Sequence, residues 1–108
     1  MPKYIMLANW TNQGVQNIKD SPKRLAAAKD VARKFGGKIE GFYMTMGAHD
    51  MVLVVDMPSD DAMAKLVLTV SQGGNVRSTT LKAFDEKTYR DIVGSLGKSG
   101  GGGKKKKK

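Results

Sequence analysis

An α+β fold, with segments in the order β-α-β-β-α-β and a further helix at the end, is predicted for this 108-residue chain by three observations. Two runs, Lys3 to Asn9 and Met51 to Val55, are almost wholly apolar, with no alternating polar face, as strands buried on both sides are. Two segments with apolar residues at three- and four-residue spacing each end in a glycine pair, Gly36-Gly37 and Gly73-Gly74, where an amphipathic helix would stop. A third run, Lys38 to Met46, is separated from Met51 only by Gly47-Ala48-His49-Asp50, which reads as a β-hairpin.

The first strand carries Tyr4, Ile5, Met6, Leu7 and Ala8, and Thr11-Asn12-Gln13-Gly14 breaks it. A short helical turn is expected around Val15 and Ile18. Ser21-Pro22 then supplies an N-cap hydroxyl and a proline at the first helical position, and Leu25, Ala28, Ala32 and Phe35 mark the buried stripe of the helix that follows. In the hairpin, Ile39, Phe42, Tyr43 and Met44 precede the turn and the second β-branched run, Met51 to Val55, follows it. Pro58-Ser59-Asp60-Asp61 opens the second long helix, with the serine as cap and two carboxylates at the positive end of the dipole; Met63, Leu66, Val67 and Val70 form its stripe. Asn75 to Ala83 alternates and suits an edge strand. The terminal helix, Asp85 to Leu96, is expected to turn Tyr89, Ile92, Val93 and Leu96 inward.

This order is the ferredoxin-like split arrangement, a sandwich of one antiparallel sheet and two helices plus the C-terminal helix. The two crossover helices cover one side of the sheet, yet its first and third strands are apolar on both. Burial stabilises by roughly 25 cal/mol per Å2 of apolar surface, so the second side needs a cover that a thin core can hardly forgo. A homodimer with its sheets packed face to face supplies that cover. The alternative is a monomer whose terminal helix folds under the sheet.

Composition narrows the function classes. With 40% hydrophobic and 27% charged residues the chain is one domain, residues 1–97, with a tail at 98–108. The longest apolar runs are about five residues, far below the roughly 20 of a membrane-spanning helix. No basic-then-apolar leader pattern opens the chain, so the expected location is cytoplasmic, without membrane insertion. The absence of cysteine removes disulfides, thiolate metal sites and a cysteine nucleophile, and the lone His49 builds no poly-histidine metal site. No cofactor or metal is expected. Of the net charge of +9, residues 1–97 carry only +3, and Lys98 with Lys104, Lys105, Lys106, Lys107 and Lys108 carries the rest. The tail is expected to be a disordered, self-repelling coil. Two readings of it stand open, a solubility tail or expression remnant and an arm attaching to nucleic acid or an anionic surface without base selectivity.

Met1-Pro2-Lys3-Tyr4-Ile5-Met6-Leu7-Ala8-Asn9-Trp10-Thr11, then Gln13-Gly14, Lys19-Asp20-Ser21-Pro22 and Gly74-Asn75-Val76-Arg77 leading into Thr80-Leu81-Lys82-Ala83-Phe84, resemble the GYD domain family. These are small bacterial and archaeal proteins, and the similarity extends over most of residues 1–95. The family's Gly-x-Tyr-Asp hairpin has its counterpart in Gly47-Ala48-His49-Asp50, with histidine in place of tyrosine. The resemblance implies a ferredoxin-like sandwich of the dimeric α/β-barrel type, a superfamily that includes cofactor-independent monooxygenases and small isomerases. It implies no particular activity.

His49 is the one side chain whose ordinary titration falls near neutrality, and Asp50 beside it is a candidate orienting carboxylate. Adjacent strand residues point to opposite faces, so a His49–Asp50 dyad requires the turn to bend between them. Tyr43 is a further candidate for moving a proton. Asn9, Trp10 and Arg77 are candidate ligand-binding residues: an amide, an aromatic wall and a guanidinium fork where the first strand ends beside the last. Packing, strand termination and turn formation account for the same residues without a ligand. Sequence-specific RNA recognition is excluded, because Met51 to Val55 holds no aromatic on which a base would stack. The glycine pairs follow helices rather than open them, the reverse of a phosphate loop. The leading expectation is a small dimeric domain binding a small molecule or a protein partner near Asn9, Trp10, His49, Asp50 and Arg77. The alternative is a cofactor-independent monooxygenase or isomerase in which His49 or Tyr43 transfers a proton.

Overall fold

The computed structural model describes residues 1–97, so the glycine and lysine tail and the attachment role considered for Lys104 to Lys108 lie outside the described residues. The elements follow in the expected order: β1 (Lys3–Trp10), α1 (Asn12–Gln16), a 3-10 turn (Ile18–Asp20), α2 (Ser21–Lys34), β2 (Lys38–Met44), β3 (Met51–Asp56), α3 (Asp60–Gln72), β4 (Val76–Ala83) and α4 (Glu86–Gly94). The strands form one antiparallel sheet in the order β2-β3-β1-β4, the ferredoxin-like arrangement.

Alternation along the central strands sorts their side chains into two faces. Tyr4, Met6 and Ala8 of β1 and Met51, Leu53 and Val55 of β3 are buried under α2 and α3. Ala32 of α2, with Met63 and Leu66 of α3, closes the core from above. Each long helix stops where a glycine takes a left-handed backbone, Gly36 at φ 92° and Gly74 at φ 78°. The opposite face carries Ile5 and Leu7, flanked in register by Val54 and Val52 of β3 and by Leu81 and Thr79 of β4. No helix lies on it among the described residues, and these central side chains are only half-buried.

Three local expectations are corrected. β2 ends at Met44, because the Thr45 N–H turns to the carbonyl of Asp50 at 2.8 Å and begins the loop. Asp20, not Ser21, occupies the cap position of α2, so Ser21 and Pro22 lie inside the first turn and the serine hydroxyl is used elsewhere. The terminal helix does not turn its apolar residues inward: Tyr89, Ile92, Val93 and Leu96 are 60%, 44%, 50% and 73% exposed. Local interactions hold α4 instead. Asp85 Oδ1 accepts the Thr88 N–H at 2.8 Å, and Lys87–Asp91 and Arg90–Glu86 pairs run along its surface at 2.9 and 2.6 Å.

Candidate functional site

Three of the residues singled out from the sequence meet where β1 ends. The Asp50 N–H donates to Asn9 Oδ1 at 2.8 Å and to the Ala8 carbonyl at 3.0 Å, while Asp50 Oδ2 accepts the backbone N–H of Trp10 at 3.0 Å. The 45–50 turn is thereby fastened to β1, and the Asp50 carboxylate is engaged by the backbone rather than by the ring of its neighbour. His49 is half-buried; its carbonyl accepts the Thr45 hydroxyl at 2.6 Å, and its Nδ1 is buried with no partner among the described residues. Arg77 stands opposite Asn9 in the β1–β4 register and is exposed. Tyr43 is opposite Val52 and is 62% exposed, on the uncovered face of the sheet.

A second lock joins α1 to the loop between α3 and β4. The Thr11 N–H donates to the Asn75 carbonyl at 3.0 Å, its hydroxyl to the Gly74 carbonyl at 2.6 Å, and Gln13 Nε2 to Gly73 O and Asn75 Oδ1 at 3.0 and 3.1 Å. Gly14 is buried against that loop, and a Cβ there would overlap the Asn75 carbonyl oxygen. The motifs Gln13-Gly14 and Gly74-Asn75 are thus the two halves of one contact.

Between α2, α3 and the sheet this lock leaves a cleft of about 390 Å3. Its floor is Ala8, Met51 and Leu53, and its walls include Phe42, Leu25, Val31 and Val70. Small side chains make the room: Ala8 below and Ala28 above stand where larger residues would close the gap. Ser21, Arg24, Thr69 and Asn75 are its polar contributors. Asn9, Trp10, Tyr43, His49, Asp50 and Arg77 do not line it; Trp10 is connected to it through its indole N–H, which donates to Ser21 Oγ at 3.2 Å. Sequence reasoning missed Arg24, which sits in a run of basic and alanine residues and resembles an ordinary solvent-facing cation. The helical spacing that marked Leu25 and Ala28 as core marked the same wall.

A shallower depression lies on the other side of α3, lined by Tyr4, Met63, Val67, Thr80 and Lys82. There the Tyr4 hydroxyl donates to Asp60 Oδ1, and Lys82 Nζ stands 3.1 Å from the same carboxylate. Burial and the bond to Asp60 push the Tyr4 hydroxyl up to about 12, and the bonds from Tyr4 and Lys82 hold Asp60 below the usual carboxylate range. At the end of the uncovered face, Lys3 bridges Asp56 and Glu40 at 2.8 and 2.6 Å, and these bonds, Asp56 first, raise its ammonium.

The GYD domain family matches residues 4–93. A curated relative from Thermus thermophilus, the glutamine synthetase and cystathionine beta-lyase binding protein, is 29% identical over 84 residues, covering 77% of this chain and 88% of the relative. Among solved structures, the feast or famine regulatory protein from M. tuberculosis complexed with L-methionine aligns with TM-score 0.61 at 19% identity, over 79% of this chain and 51% of that one. The Mycobacterium tuberculosis leucine response regulatory protein aligns with TM-score 0.60 at 18% identity, over 78% and 51%. The chain spans about half the length of these two regulators, and at this identity the likeness shows the ferredoxin-like fold alone. No helix among the described residues is long and apolar enough to cross a membrane.

Proposed function

We propose that this chain, which belongs to the GYD domain family, is a cytoplasmic, homodimeric binding module that holds a small molecule and engages a protein partner without catalysing a reaction. The observation that carries the binding reading is the chemistry of the cleft. About 390 Å3 of largely apolar space is ample for a small ligand, since such sites run from about 300 to 1,000 Å3. Its one ionisable wall residue is Arg24, a permanent cation that neither takes nor gives a proton near neutrality. A cofactor-independent monooxygenase or isomerase needs a group at the substrate that moves a proton, and the candidates His49, Asp50 and Tyr43 lie off this wall. Binding fits that inventory better than turnover.

The homodimer is supported by the uncovered sheet face, where Ile5, Leu7, Val52 and Val54 form a continuous central patch. The protein partner is supported by the relative named for binding glutamine synthetase and cystathionine beta-lyase, and a metabolic enzyme of that kind is the partner class proposed here. Native mass spectrometry of the full chain, purified from its own host at modest ionic strength, tests the reading. Two copies with a discrete retained mass are expected. A ligand-free monomer that also fails to co-elute with glutamine synthetase overturns it.

A further inference from the structure

The polar end of the cleft holds a cation without a counter-ion. Arg24 Nη1 donates to the Asn17 carbonyl at 2.9 Å and Nη2 to the Gly14 carbonyl at 3.4 Å, which fixes the guanidinium against α1. Its Nε is buried and has no partner among the described residues. None of the ion pairs among the described residues involves Arg24. A half-buried guanidinium that gives two of its five N–H groups to neutral carbonyls and meets no carboxylate leaves its charge uncompensated. Ser21 lies on the same wall; its Oγ accepts from Trp10, and its own proton has no acceptor among the described residues. Asn75, the remaining polar group at that end, is already engaged on both amide atoms by Gln13 and the Gly73 carbonyl.

We propose that the cleft binds a small monocarboxylate with an apolar tail, its carboxylate taken by Arg24 and Ser21 and its tail lying among Leu25, Val31, Leu53 and Val70. Arg24 keeps one free N–H on each terminal nitrogen, and with the Ser21 hydroxyl these donors serve the two oxygens of a carboxylate, whereas a phosphate would bring more charge and more oxygens into an apolar site than they serve. The small side chains Ala8 and Ala28 give the tail its space. This inference rests on the cleft being a ligand site and adds the chemical class of the ligand.

Titration calorimetry of the full chain with hexanoate, hexanamide and acetate tests it. A hydrogen bond to a charged group contributes roughly 1.5–3 kcal/mol, so hexanoate is expected to bind about tenfold or more tightly than hexanamide, and acetate, lacking the tail, at least tenfold more weakly than hexanoate. Arg24→Gln should bring hexanoate and hexanamide to equal affinity. Because Arg24 also braces α1, Arg24→Lys provides a milder variant that keeps the charge and loses the planar fork of terminal donors, and it should narrow the preference. Equal binding of hexanoate and hexanamide by the unaltered chain overturns the carboxylate assignment while leaving a ligand cleft intact. Binding of none of the three overturns both.

Discussion

The backbone N–H of Asp50 donates to Asn9 Oδ1 at 2.8 Å, which ties the tip of the β2–β3 hairpin to the last turn of pleat in β1. Asp50 then returns a carboxylate oxygen to the N–H of Trp10 at 3.0 Å. The exchange fastens a six-residue excursion to the central strand and gives the aspartate of the Gly47-Ala48-His49-Asp50 motif a structural role. Asp50→Ala leaves a partly buried N–H without an acceptor and is expected to cost about 1–3 kcal/mol, read as a lower urea midpoint with unchanged slope. Asp50→Asn keeps one oxygen acceptor and should cost less than half as much.

Gly14 packs beneath the Asn75 carbonyl, where any Cβ would overlap a backbone oxygen that already accepts the Thr11 N–H. The obstacle is main chain on both sides, so relief requires α1 and the 73–75 loop to separate. Gly14→Ala should therefore destabilise the fold by about 1–3 kcal/mol and weaken binding in the cleft, whose wall that loop forms. Ala28→Gly, which opens space on the same cleft without touching the lock, should leave the Asn75 amide resonance in place, whereas Gly14→Ala should shift it.

Tyr4 and Asp60 make stability depend on pH at both extremes. The Tyr4 hydroxyl rises from 10.0 to about 12 on folding, so the folded chain holds that proton more tightly. Its contribution is complete below pH 10 and is lost as the pH climbs toward 12. Asp60 moves the other way, so its contribution is present above the ordinary carboxylate value and fades as the pH falls through its lowered one. Urea midpoints measured across pH should fall on both limbs. Tyr4→Phe should remove the decline between pH 10 and 12 and shrink the acid limb, because the bond from Tyr4 is the main cause of the Asp60 shift.

The strand and helix order was legible because each boundary is written in local chemistry: Ser59 does cap α3, accepting the Ala62 N–H at 3.1 Å, and Gly36 and Gly74 do turn the chain. What local chemistry does not specify is the partner of a side chain. Ser21 reads as a cap by its position before Pro22, yet its hydroxyl serves Trp10, eleven residues away across a loop. Arg24 reads as one more surface cation, and only folding α1 back on α2 shows its guanidinium held by the Gly14 and Asn17 carbonyls at the edge of the cleft. Amphipathic spacing in α4 marks an apolar side correctly but cannot say whether this chain or another supplies the surface against it.

Val54 occupies the center of the uncovered sheet face, opposite Ile5 in β1 and Gly41 in β2. A glycine at that β2 position leaves the valine without a cross-strand cover, and the half-buried row Ile5, Leu7, Val52 and Val54 lies open. Burying a side chain of this size is worth about 1.5–3 kcal/mol, so the row can sustain an association when a second copy meets it. An aspartate at position 54 would put an unpaired charge in that contact and cost far more in a dimer than in a single chain, where the same face meets water. For the dimer proposed above, Val54→Asp is accordingly expected to leave one copy where the unaltered chain gives two in native mass spectrometry and sedimentation, with its far-ultraviolet circular dichroism unchanged. Leu68→Asp, an exposed change on α3, should leave two copies. A Val54→Asp protein that stays paired would show that the two copies meet elsewhere, and the exposed apolar side of α4 would be the next surface to alter.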